Sequence, residues 1–474
     1  MHEIVVIGAG ISGTLTALEL AANHRILLIE SGKEILPDSC TSRNQCFKLH
    51  TGLHYFGNIE TAKLCLKKAI AFAKEFPDCI LGRQNLNASY RRGRHFVMSN
   101  SLVKPEEAIK VAIELKELYI QLIASDPKNK VFGDPDRFFK VLSSEEYSYL
   151  SKDIPCYDES GSCHKTSVVL GIETAESLVD FNALRMNLRQ KVSQCPNITV
   201  LPNTKVLDLI PRNETQKYKL SVVDENGFNF LIETSFVVNC AWQNIELIGK
   251  KIHSNYLRKE AGVNRIKITT LVQLPEQLHS MHTCLFSTGP YCSITVLANG
   301  EAILASERLT NVGYYPIGEE MPKALEEKVQ QITSQKIEGN QFARQILEDC
   351  SAYFCPSIQS LMMASKIKEV RVGIVKQVDS IKKYDNTSIY RHDSIVHSRL
   401  DTGVCSVIPG YIANASMKMV YALDNAKYIK EIVEHQLQLD NNPLIQSSQK
   451  FFQTQKLVQE SDKQAITMQT SKNV

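Results

Sequence analysis

The segment HEIVVIGAGISGTLTALELAANHRILLIESG, residues 2–32, constrains the fold more than any other part of the chain. Ile4 to Ile7 form a short apolar run suited to a parallel strand buried on both faces. Gly8, Gly10 and Gly13 then give a GxGxxG, and apolar residues recur at helical spacing through Leu15, Leu18 and Leu20. A second apolar run, residues 25–29, ends in Glu30. This is a βαβ unit with an acid at the tip of its second strand, the fingerprint of a dinucleotide site. Gly8 permits the tight turn, Gly10 lets backbone approach a pyrophosphate, and Gly13 lets helix and strand pack closely. Ile11 and Ser12 open the helix, whose free N–H groups and dipole attract the phosphates. Glu30 is placed to accept hydrogen bonds from an adenosine ribose. The motif alone leaves NAD and FAD open, because both present the same ADP half.

At 474 residues the chain is long enough for two domains. Lys and Arg number 54 against 51 Asp and Glu, so no charge excess points to nucleic acid or an anionic membrane. No apolar run approaches the roughly 20 residues of a membrane helix. A strand pattern starting at His2 leaves no room for a signal peptide, which gives a cytoplasmic expectation. The 13 Cys are dispersed without a CxxC, as expected of reduced thiols.

After Glu30 comes a polar loop rather than another plain βα unit. Its segment TSRNQCFKLHTGLHYFGN, residues 41–58, holds His50 and His54. Their spacing would suit a metal only on a helix, and Gly52 argues against one, so no metal is expected. A helix follows from about Ile59 to Phe76.

A GxGxxG unit followed by this loop resembles the D-amino-acid-oxidase-like (DAO) superfamily of flavoenzymes, which includes glycerol-3-phosphate and L-2-hydroxyglutarate dehydrogenases. Thr41, Ser42, Asn44, His50, Gly52, Tyr55, Lys63, Leu64 and Cys65 match the pattern TSxxNSxxIHxGxYY…KAxLC. The resemblance implies FAD as cofactor. It implies an α/β fold, a Rossmann-like FAD-binding domain interleaved with an α+β substrate domain built on an antiparallel sheet. It places Ser42, Asn44 and Gln45 in the flavin cradle, with His50 and Tyr55 facing a small-molecule substrate. Some relatives bond a His at this position to the flavin.

Later segments follow the same order of elements. Residues 180–194 read as a helix, and residues 199–210 as a strand in which Val206 matches an adenine-contacting Val. FVVNCAWQN, residues 236–244, resembles VVNAAGxW, with Ala241 kept and Trp242 where Gly is usual. Alternating residues 267–306 predict an antiparallel sheet with a hairpin at Asn299-Gly300. Tyr291, Arg308, Tyr314 and Tyr315 are candidates to line the pocket above it. Residues 367–433 resemble GIRP…GLxSVxGGKxTT. That match implies a loop including Gly410 and Lys418 at the flavin, and Arg371 or Arg391 as anion binder in place of the Arg that Val375 lacks.

The expected division is 1–90, 165–250 and 365–436 for the FAD domain, 91–164 and 251–364 for the substrate domain, and 437–474 for a tail. The expected activity is hydride transfer from an amine- or hydroxyl-bearing carbon to flavin. A NAD-dependent dehydrogenase, or an FAD-binding module without turnover, are the alternatives.

Overall fold

The computed structural model describes residues 3–44, 47–81, 92–210, 217–250, 252, 262–297, 299–378, 400 and 402–440. β1 (Ile4–Ile7) leads into α1 (Ile11–Leu20) and then β2 (Ile26–Ile29). Both strands are buried throughout, which fits their all-aliphatic sequences. They belong to a six-stranded sheet ordered Ile198–Leu201, β2, β1, Phe236–Asn239, Tyr411–Asn414, Val404–Ile408. The first five strands are parallel and the last is antiparallel.

Alternate residues of these strands serve two cores. Ile4, Val6, Ile26, Leu28 and Phe236 pack with α1 and with Ile429 and Val433 of the helix Ala422–Asp440. Val5, Ile7, Leu27 and Val237 pack with Val206, Leu220 and Val222 of a three-stranded meander. The strand expected over 199–210 is two strands, Ile198–Leu201 and Lys205–Ile210. Pro202 stands between them, and the two join different sheets. A turn at Asn226-Gly227 joins two strands of this meander, with Gly227 at φ 80°.

A nine-stranded sheet forms the second layer. Its path runs Asn311–Pro316, Gly262–Gln273, Glu301–Ser306, Cys292–Val296, Cys284–Ser287, Arg94–Met98, Val168–Thr174, Phe139–Val141, with Lys366–Val378 also paired to Gly262–Gln273. Val168–Thr174 and Lys366–Val378 therefore pair within this sheet, although the expected boundaries at 165 and 365 put them with the cofactor domain. The hairpin at Asn299-Gly300 joins two strands of the sheet, with Gly300 at φ 76°.

A small sheet, Lys48–Leu49, Ser177–Val179 and Ile80–Leu81, lies where the two layers meet. α2 (Ile59–Glu75) starts where the Asn58 side chain accepts from the Thr61 N–H. The last helix extends through residues 437–440, and residues 441–474 of the expected tail lie outside the described residues. Among the described residues no helix is long and apolar enough to cross a membrane, and the described cysteines are free thiols.

Candidate active site

One cavity of about 1030 Å³ runs from the β1–α1 turn to the nine-stranded sheet. At the turn, a Cβ on Gly13 would lie 1.8 Å from the Gly8 carbonyl oxygen, so helix and turn touch through glycine alone. Gly10 is different: a Cβ there would meet nothing within 4 Å, and its φ of −67° suits any residue. Neither protein packing nor backbone conformation requires glycine at position 10. Gly10 lines the cavity with Gly8, Ile11 and Ser12 at a helix end that no side chain caps. Open space, uncapped N–H groups and a missing Cβ together fit a phosphate group.

Glu30 is buried and ties the two loops at this end together. Its Oε2 accepts from Ala9 N–H at 2.7 Å, and its Oε1 accepts from Gly32 N–H at 2.7 Å. Glu30, Ser31, Thr204 and Val206 line the wall beside it.

The middle of the cavity is walled by Ser42, His50, His54, Tyr55 and residues 416–420. The Lys418 ammonium donates to the Tyr55 hydroxyl and lies 4.4 Å from the ring centroid. The His50 and His54 rings are 4.8 Å apart. Burial is the main force lowering the His50 pKa, to about 4, with Lys418 adding to it. Burial likewise holds His54 well below its ordinary value, followed by His50 and Lys48.

A carboxylate does lie beside these histidines. Glu176 Oε2 is 3.3 Å from His50 Nδ1. Burial opposes the Glu176 charge, but His50 and His95 hold its carboxyl well below the usual range.

The far end rests on the strand Gly262–Gln273. Arg265 and Lys267, two residues apart, share one face and line the cavity, while Ile266 and Ile268 point into a separate core. Lys267 forms an ion pair with Glu307, and Arg265 Nη1 lies 3.9 Å from the same carboxylate. Burial works against the Glu307 charge, yet Lys267 and Arg265 hold its pKa at about 2. Arg265 Nε is buried with no hydrogen-bond partner among the described residues. Two cations thus share one carboxylate.

The structure brings together Gly8, Gly10, Ile11, Ser12, Glu30, Ser42, His50, Tyr55, Val206, Ala241 and Lys418 around this one cavity. Gly13 supports the turn from behind. Three expectations are corrected. Gly410 is the hairpin turn before Tyr411–Asn414, and its N–H donates to Gln436 Oε1. The parallel register pairs Tyr411 with Val237, at the strand end remote from Gly8, so the cavity is met by Asn414 and residues 416–420 instead. Arg371 lines a neighbouring cavity of about 410 Å³ with Arg43, Asn44 and Glu369. Its Nε donates to Glu369 Oε2 at 3.0 Å, and the strand carries it away from the main cavity. Asn44 likewise lines only the neighbouring cavity. Gln45 and Arg391 lie outside the described residues.

Tyr291 and Tyr315 line the main cavity. Arg308 does not: it pairs with Asp349 at 3.0 Å and lies 4.0 Å from the Tyr157 ring, and Tyr314 is also absent from the wall. Trp242 lines the cavity at φ 50°, the left-handed region its Gly counterpart would favour, and its Nε1–H donates to the Ile374 carbonyl at 2.8 Å. Sequence reasoning missed Arg265, Lys267, Glu307 and Glu176. The first two carried a signal, two cations at alternate positions of an apolar strand. Glu176 carried none.

Residues 3–122 match the family model DAO, FAD dependent oxidoreductase. Over that stretch the chain is similar to the FAD dependent oxidoreductases of the DAO family. The expectation of FAD and of an oxidoreductase is met there, and the NAD-dependent alternative is set aside. The fold of the whole chain agrees with that of DAO-type enzymes. It is similar to L-amino acid deaminase from Proteus vulgaris, with 13% identity, TM-score 0.58 and coverage of 92% of this chain and 94% of that one. It is similar to glycine oxidase from Geobacillus kaustophilus, with 14% identity, TM-score 0.55 and coverage of 92% and 95%. It is also similar to L-proline dehydrogenase from P. horikoshii, with 15% identity, TM-score 0.51 and coverage of 91% and 92%. No curated protein matches the chain.

Proposed function

We propose that the protein oxidises a small anionic substrate at a hydroxyl- or amine-bearing carbon. The observation that carries this reading is the continuity of one cavity from the glycine turn to Arg265 and Lys267. FAD fits the first half of that cavity. Gly8, Gly10, Ile11 and Ser12 would hold its pyrophosphate, Glu30 its ribose and Val206 its adenine. Ser42, Ala241 and Lys418 would border the ring. When bound, the flavin supplies the two-electron acceptor for a substrate hydride.

The chain's own residues bind and orient the substrate. Arg265 and Lys267 exceed Glu307 by one positive charge, which an anionic substrate group would balance. His50, Tyr55 and Lys418 border the space between that anchor and the cofactor end.

Anaerobic mixing of the yellow protein with 2-hydroxy acids, amino acids and sn-glycerol 3-phosphate tests this reading. Bleaching of the visible flavin band by an anionic member is expected. Failure of every member, in protein that dithionite still bleaches, would overturn it.

A further inference from the structure

Glu176 stands where the two layers meet. It follows Val168–Thr174 of the nine-stranded sheet and precedes Ser177–Val179 of the small sheet. Ser177 pairs with Leu49 in an antiparallel ladder, and one step further that register sets Glu176 opposite His50. The Glu176 side chain is 3% exposed. Its Oε2 is 3.3 Å from His50 Nδ1, and its Oε1 is 3.6 Å from His95 Nε2. His95, on Arg94–Met98, is itself fixed because its Nδ1–H donates to the Leu53 carbonyl at 3.1 Å. Three segments far apart in sequence therefore converge on one carboxylate.

That carboxylate is absent from the cavity wall, whereas His50 is part of it. An ionised carboxylate only accepts hydrogen bonds, so His50 must present Nδ1–H to it. A neutral imidazole holding its proton on Nδ1 has a bare Nε2 on the opposite edge of the ring. No described residue hydrogen-bonds to that Nε2. Around the ring stand Lys48, Lys418, Tyr55, His54, His95 and Glu176. The lysines and the burial disfavour an imidazolium, and Glu176 keeps the neutral ring from turning its proton towards the cavity.

Resting on the reading above, we infer that Glu176 is a positioning residue that holds His50 with its Nε2 free to accept the proton of a substrate hydroxyl. One proton passes from the hydroxyl to Nε2. The C–H electron pair leaves the hydroxyl-bearing carbon as hydride, for which the bound flavin would be the acceptor, and the O–H pair turns the C–O single bond into a carbonyl. An alcohol needs this proton acceptor, whereas a neutral amine already has its lone pair. Beside His50, Lys48 and Lys418 outnumber the single Glu176 carboxylate, which also weighs against an ammonium group there.

The test uses FAD-loaded protein with ¹⁵N-labelled histidine, and His50→Gln to assign the His50 resonances. At neutral pH, His50 is expected as the neutral Nδ1–H tautomer. An Nε2–H tautomer or an imidazolium would overturn the inference, whether or not a substrate is known. In stopped-flow reduction, Glu176→Gln should lower the rate constant about tenfold with little change in substrate Kd, and Glu176→Asp should restore part of the rate. An unchanged rate in correctly folded Glu176→Gln overturns the positioning role. Bleaching by amino acids but not by the matched 2-hydroxy acids overturns the choice of hydroxyl. If no compound bleaches the flavin, the functional reading has failed and the tautomer still decides the role of Glu176.

Discussion

Arg265 and Val375 are direct partners across an antiparallel pair of strands, and both line the main cavity. Side chains at such positions share a face, with Cβ atoms roughly 5 Å apart. The DAO resemblance leads one to expect a cation at 375. The cation is present, but on the neighbouring strand. Arg265→Met should keep the stem's packing and remove the charge. Loss of a charged hydrogen-bond pair is worth about 2 kcal/mol, so substrate Kd should rise roughly thirtyfold while flavin content stays the same. Equilibrium titration of the reduced-flavin signal checks this, and Arg371→Ala should leave that Kd unchanged.

Gly10 and Gly13 should separate cofactor loss from fold loss. A side chain at 10 enters open space, and one at 13 strikes the Gly8 carbonyl. Gly10→Leu is expected to give colourless protein with apoprotein-like thermal stability. Gly13→Leu is expected to give little folded protein. Measured flavin content and circular dichroism distinguish the two outcomes.

The single Trp of the chain, Trp242, is in the cavity wall. Its emission should therefore report cofactor loading directly, because flavin absorbs where indole emits. Titrating apoprotein with FAD should quench most of the tryptophan fluorescence in a saturable way. Unquenched emission in fully loaded protein would place the cofactor elsewhere.

Acid should destabilise the protein through the cluster around His50. The His50 pKa is about 4 in the fold against 6.5 as a free side chain, and His54 is shifted in the same direction. Between those values the unfolded chain binds more protons, so stability is complete above pH 6.5 and falls as pH drops towards 4. Glu176, with its pKa lowered, adds a further loss below its ordinary 4.5. Urea midpoints at pH 7, 6 and 5 should decline steadily, and His50→Gln should flatten the decline.

The first thirty residues were legible because the βαβ unit is local: its strands, turn and acid are set by neighbours in sequence. The flavin loop was legible through Ser42, His50 and Tyr55 for the same reason. Gly410 was misplaced because a sequence does not state which way a strand runs, and the parallel strand 411–414 had to be crossed before the cavity was reached. Arg371 was misplaced by length. It lies four residues before Val375, roughly 13 Å along an extended strand. Glu176 escaped notice because its meaning depends on a ladder joining residue 50 to residue 176, which no local spacing encodes.

The strand Gly262–Gln273 is hydrogen-bonded on both edges, to Lys366–Val378 on one side and to two successive strands on the other. Its backbone has almost no freedom left, yet the side chains facing the cavity are not needed to hold the strand in place. Scaffold and selectivity are thereby decoupled. Residue 265 can be exchanged for others of similar size while Lys267 still pairs with Glu307, whereas loss of Lys267 would leave that buried carboxylate without its closest cation. A lineage built on this sheet can change the side chains that face the cavity without rebuilding the loops at its glycine-turn end.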